Sequence, residues 1–387
     1  MKLPIDLKAV IEAATDIESA RNTPVSVSVL IDDSAPGDVA AHVRSAFVGA
    51  GAHARVTVGY FVGPAFSPYE GDDMAVIVAG FSEEVGRRAA EIRAAGVPVM
   101  VVTSMPRLVA DMASAYGNPI PEGDLVAPEG VEGCEADGDA ACTSGEVAGA
   151  HVSVLAGIRA AKSAGAGAAA GSSGAAASSP DVSDAPIPID AAAAAALDRR
   201  MGEWVVAACR EKRLALALSF PFVRRPLSLE AVSATSLQNA GIGLVLFIPG
   251  ADMPLMTLNQ AKMLLQIAAA YGEPMSAARA KELAAIVGGA FACRSVARQV
   301  AGAVPAIGWA VKAGVGYAGT KAMGLAAVEY FERGGNIAGL AGVVSAATAK
   351  ATQIAGDVAA TPAGARVFST VKTAVRQGAA SVLKKTE

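Results

Sequence analysis

Histidine, cysteine and the aromatics are all scarce in this chain, and each shortage removes a class of chemistry. The three histidines (His42, His53 and His151) are dispersed, and none has a serine or cysteine at a motif spacing, so no hydrolase triad is visible. Of the four cysteines, Cys134 and Cys142 stand eight positions apart in EGCEADGDAAC, while Cys209 and Cys293 are remote in sequence. Zinc ligands come in closer pairs and need a second pair, so an acidic loop with free thiols is the simpler reading. The start, MKLPIDLKAVIEAATDIESARN, mixes acids among its apolar residues and lacks the apolar heart of a secretory signal. A reducing, cytoplasmic setting is expected. Aromatics make up 5% of residues and charged residues 18%, although 53% are hydrophobic. The apolar content is therefore rich in alanine, and helices built from it can approach closely.

The chain has 387 residues, more than one core usually holds, so two domains are expected. Charge divides the same way. Residues 1–162 carry 11 Lys/Arg against 22 Asp/Glu, and residues 163–387 carry 21 against 14. An acidic front and a basic, apolar back point to separate roles, with anionic lipid or an acidic partner facing the second. Nucleic acid fits less well, because the positive charges are interleaved with apolar runs and few aromatics.

The front half alternates. An amphipathic helix over residues 4–20 precedes the strand VSVSVLI (Val25–Ile31), a helix over Val39–Ala50, and strands at Ala54–Phe61, Met74–Phe81 and Val97–Ser104. A helix with acids first and arginines last lies between the third and fourth strands, as the helix dipole favours. This alternation predicts a doubly wound, Rossmann-like α/β domain with a parallel sheet.

The turn after the first strand is where nucleotide chemistry would be carried. It reads DDSAPGDV, without the lysine of a phosphate loop and with three aspartates that would repel phosphate. LIDDSA resembles the opening of a response-regulator receiver domain, whose acidic pair holds magnesium. The third strand, however, offers Ala79 and Gly80 where that family places its phosphorylated aspartate. Asp32 and Asp33, with Asp38, thus remain as metal candidates, against a simpler reading in which Asp32, Asp33, Ser34 and Asp38 cap a helix. No cofactor is expected.

From Pro119 to Glu146 the chain turns irregular and acidic before one more helix, Val147–Lys162. Residues 163–189 are Ala/Gly/Ser-rich and end in prolines, the composition of a flexible linker. Beyond Asp190 the pattern is helical throughout, from a long first segment Ala191–Ser219 to a last one at Pro362–Lys384. The breaks fall at Pro221, Pro226, Pro249–Gly250, Gly272–Pro274, Pro305 and Gly334–Gly335. The expected organisation is an α/β domain over 1–162, a linker over 163–189, a helical domain over 190–335 and C-terminal basic helices over 336–387.

Within the helical half, an apolar run enters a Pro249-Gly250-Ala251-Asp252 turn. A helix with Met256, Thr257, Gln260 and Met263 follows, closing on Tyr271-Gly272. With Pro305, Gly308, Thr320, Gly324, Tyr330 and Phe331, this pattern resembles the YcjF-type helical domain of unknown function. That domain also follows the GTP-binding domain of some Era-like GTPases, and the resemblance covers roughly residues 205–335. It implies association with membranes or with a GTPase partner, and no reaction. Asp252 itself reads as a helix cap, with Thr257 and Gln260 placed to hydrogen-bond a neighbouring helix.

No stretch is a clean membrane span. Ala231–Ala251 is uncharged but holds Ser233, Thr235, Ser236, Gln238 and Asn239, and the later glycine-rich runs are cut by Arg294, Arg298, Lys312 and Lys321. Small residues would still let two such helices pair, so an inner-membrane or channel-like assembly and a homo-oligomer stay open beside a peripheral bundle. In the last segment Val367, Phe368, Val371, Val375 and Val382 recur at helical spacing, with Arg366, Lys372, Arg376, Lys384 and Lys385 around them. Such a helix can lie on an anionic membrane surface or dock on the bundle. The expectation is a non-catalytic adaptor on the cytoplasmic side of a membrane. A divalent-metal enzyme or signalling module built on Asp32 and Asp33 is its rival.

Overall fold

The computed structural model describes residues 7–51, 53–61, 71–128, 186–245, 252–283, 286 and 308–347. Five strands form one parallel sheet: β1 (Val25–Ile31), β2 (Ala54–Tyr60), β3 (Met74–Val78), β4 (Val99–Val102) and β5 (Leu125–Val126), in the order β2-β1-β3-β4-β5. MAVIV and VMVV are buried at every position, which is why they read as unbroken apolar runs. β2 lies at an edge and is half-exposed. Strand order reverses between β1 and β3, so the crevice outside their carboxyl ends is where a sheet of this kind receives ligands.

Helices cover both faces. On one, Val25, Val27, Val29 and Ile31 of β1 share a core with Val39, Val43 and Phe47 of α2 (Gly37–Val48). On the other, Ala75 and Ile77 of β3, with Ala79 just beyond it, pack with α3 (Glu84–Ala94) and α4 (Pro106–Ala115). The first face is completed by α5 (Ala191–Ala208), through Leu197, Met201, Trp204 and Val205. Its covering helix thus follows β5 in the chain only after residues 129–185, which lie outside the described residues. His42 of α2 and Asp198 of α5 meet at 2.8 Å, and Arg200 donates to the carbonyl of Ala127 just past β5.

The same core continues into α6 (Arg213–Ser219) and α7 (Pro221–Val245), where Phe47 meets Phe220 and Phe222 edge-on at 4.9 and 5.2 Å. A second core joins α7, α8 (Asp252–Ala270) and α9 (Gly308–Glu332). α1 (Leu7–Arg21), first in the chain, packs there too, burying Val10 and Ala14 against α8. Two helical glycines in this region allow close approach. A Cβ on Gly202 of α5 would lie 2.4 Å from the Phe222 carbonyl, and one on Gly324 of α9 would lie 2.4 Å from Val232 of α7.

The elements depart from sequence expectation in three places. β5 lies where the pattern shows irregular chain, being too short to have a period, and α4 occupies residues to which the pattern assigns no element. The segment Ala191–Ser219 breaks between α5 and α6. There Lys212 leaves the helix to reach the Asp73 carboxylate at 2.6 Å and the Pro24 carbonyl at 3.1 Å. Pro221 does mark a helix boundary, as the first residue of α7, whereas Pro226 breaks no helix and lies inside α7. Pro221 occupies the first position, where no N–H is needed. Pro226 leaves the Phe222 carbonyl without its helical donor, and that carbonyl faces Gly202. No helix among the described residues is long and apolar enough to cross a membrane.

Candidate functional site

At the reversal point, β1 delivers Asp32 and β3 delivers Gly80 to the same place. Asp32 is 3% exposed, and its carboxylate accepts four hydrogen bonds from the chain itself. The Ser34 N–H donates to Oδ1 at 3.1 Å. The Ser34 hydroxyl, the Gly80 N–H and the Ser82 N–H donate to Oδ2 at 2.9, 2.9 and 3.3 Å. The Ser34 hydroxyl in turn accepts from the Phe81 N–H at 2.7 Å. Consecutive backbone N–H groups after a central strand are the kind of nest that holds an anion in related sheets. Here a buried side-chain carboxylate already occupies it.

Gly80 is required by this closure. A Cβ there would fall 2.3 Å from the backbone carbonyl of Ser34, so the strand end that a receiver domain would give to an aspartate admits no side chain. The four donors around Asp32 present positive hydrogen to it and would repel a cation. Among the described residues no group of three or more His, Cys, Asp or Glu is placed to hold a metal. The capping reading is also corrected: Pro36 is the N-cap of α2 and no side chain caps it, while Asp32 and Ser34 bond across to the loop after β3. Asp33 is exposed. Asp38 accepts from its neighbour Val39 and from the Ile189 N–H at 3.2 Å.

That last bond belongs to a strap. Residues 186–190 cross the carboxyl edge, the Ile187 N–H donating to the Ser104 carbonyl at 3.0 Å beyond β4. Asp190 then caps α5 by accepting from the Ala193 N–H at 2.8 Å. The edge is thus closed twice, by Asp32 within the crevice and by the strap across it. Nor does the opposite edge offer a reactive thiol. Burial, reinforced by Asp73, pushes the Cys209 thiol up to about 12.

The helical signature divides. Pro249 and Gly250 lie outside the described residues, as do the basic residues Arg366, Lys372, Arg376, Lys384 and Lys385. Asp252 is the first residue of α8. Thr257, Gln260 and Met263 are buried, and the Gln260 amide donates to Thr320 of α9 at 2.8 Å. Thr320 also accepts from Asn239 of α7 at 3.0 Å, and Asn239 accepts from Asn259 at 3.1 Å. Sequence reasoning missed Asn239 and Asn259, whose partners are remote along the chain.

Tyr271 stacks on Phe331 and donates to Glu332, and its hydroxyl is held above the usual tyrosine range by burial and that carboxylate. Gly272, at φ 93°, ends α8 by donating to Ala269 while Glu273 donates to Ala268, the paired bonds of a left-handed helix stop. Gly334 ends α9 in the same way.

Comparison with family models, curated proteins and solved structures found no match in any of the three.

Proposed function

We propose that this protein is a non-catalytic adaptor. Its sheet is a Rossmann-like, doubly wound module with the strand order of a receiver domain and a sealed ligand edge. The helices carry the docking, to a membrane surface or to a GTPase-type partner. The observation that carries this reading is the Asp32 carboxylate, which takes up the backbone donors at the reversal point that a phosphate would need. The YcjF-type sequence motif supports the choice of partner class. A titration of the full chain with magnesium and with nucleotide, followed by thermal shift, tests it. No shift at millimolar ligand is expected, and a saturable shift abolished by Asp32→Asn would restore the enzyme reading. Cell fractionation with a carbonate wash tests the peripheral placement. Release into the soluble fraction is expected, and retention in the pellet would favour an integral assembly.

A further inference from the structure

Away from the sheet, α1, α7 and α8 enclose a groove of about 380 Å³. That volume lies within the range of small-molecule sites. α7 contributes Thr235 and Gln238, α8 contributes Asn259 and Lys262, and α1 contributes Asp16. One end is closed by Arg213 and Glu230, which neutralise each other at 2.5 Å. Asp16 and Lys262 are different. Each lines the groove, and neither has an ion-pair partner among the described residues.

We propose that this groove binds a small zwitterion of the free amino acid class. A carboxylate facing Lys262 and an ammonium facing Asp16 would satisfy both walls at once. A simple anion would meet repulsion from Asp16, and a simple cation repulsion from Lys262, so the paired charges select against half-ligands. The amide of Asn259 is already turned. Its Nδ2 donates to Asn239 at 3.1 Å, which leaves Oδ1 to accept from the ligand's ammonium. Behind the Arg213–Glu230 end a second hollow of about 30 Å³ is bordered by Ser228 and Gln266. Ser228 is 1% exposed, and its hydroxyl has no hydrogen-bond partner among the described residues. A buried donor without a partner is uncommon in a folded chain, and this one marks the deep end as a place for one further polar atom of the ligand or for a water.

This inference stands apart from the adaptor reading, since the groove and the sheet edge share no residue. Calorimetry on the full chain with L-alanine and L-glutamine as probes, and acetate and ethylamine as half-ligands, tests it. Saturable binding of at least one amino acid is expected at millimolar concentration or below, with each half-ligand weaker by about tenfold or more. Asp16→Asn and Lys262→Gln, both at exposed positions and so compatible with folding, should each weaken the amino acid by about tenfold. Lys281→Gln, outside the groove, should leave it unchanged. Absence of binding by both amino acids would overturn the proposal. So would acetate or ethylamine binding as tightly as they do, or binding indifferent to both groove substitutions.

Discussion

At the carboxyl edge of the sheet the buried polar group is an aspartate, Asp32, surrounded by backbone N–H donors. Between α7, α8 and α9 the buried groups are Asn239, Gln260 and Thr320, and they bond to one another. The difference follows from what each architecture leaves over. A parallel strand ends with N–H groups that no neighbour claims, so a carboxylate can be stabilised there by fixed dipoles. A helix interior spends its N–H groups on its own carbonyls. Polar side chains buried between helices therefore turn to other side chains or to carbonyls, as Asn239 does with Thr320 and Met256. The same contrast governs close contacts: Gly80 is pressed by backbone, Gly324 by the side-chain tips of Val232.

Substitutions at five positions would break or sharpen this comparison. The largest effect is expected for Gly80→Ala, because the Ser34 backbone cannot retreat without disrupting the Asp32 bonds. A loss of about 3 kcal/mol in urea unfolding is expected, and a near-neutral result would mean that the two loops are not in contact. Asp32→Ala comes next, at about 2 kcal/mol, since it strands buried donors. Asp32→Asn, which keeps an acceptor, should fall between it and the parent. If the two variants were equal, the carboxylate would have no special part.

Thr320→Val should cost about 1 kcal/mol by leaving the Asn239 and Gln260 amides short of an acceptor. A further Asn239→Leu change on that background should then cost less than it does alone, a coupling that a double-mutant cycle reads directly. The smallest effect belongs to Glu18, which links α1 to the turn after α8. Burial of its carboxyl works against ionisation, but the Met275 N–H and Arg21 outweigh it and hold Glu18 below the usual glutamate range. A depressed carboxyl contributes stability above its unfolded value and loses it as pH falls through the folded one. Glu18→Gln should therefore lower stability by about 0.5 kcal/mol or less near neutral pH. The gap from the parent should vanish in acid. A gap that widened in acid would refute the assignment.

What was legible in the sequence was whatever depends on near neighbours. Val25–Ile31 is a strand in both readings because alternating valines need no distant partner to declare themselves. Gly272 follows a periodic helix directly, where a left-handed stop is expected. Gly80 stood out as a missing aspartate, and the structure supplies the steric reason. Bonds across the chain were not legible. Ser26 and Ser28 alternate in β1 with no visible purpose, yet both hydroxyls donate to Asp72, at the approach to β3. Asp32 sits where a cap would sit, and only the folded sheet brings Gly80 and Ser82 to it. The break over residues 163–189 is one of composition, whereas the apolar core runs from the sheet into α5, α6 and α7.

The anchoring of the strap has a topological consequence. Two adjacent residues, Thr103 and Ser104, hold both sides of the long excursion: the Thr103 N–H donates to Val126 at its departure, and the Ser104 carbonyl accepts from Ile187 at its return. The chain at Ile187 therefore stands beside the chain at Val126, one residue apart along the strand end that holds them both. Joining Pro128 to Pro186 through a short glycine-serine bridge would shorten the loop closed in folding and leave every contact of the sheet and its covering helix in place. By the same geometry, the chain before Pro128 and the chain after Pro186 are interlocked through one shared core.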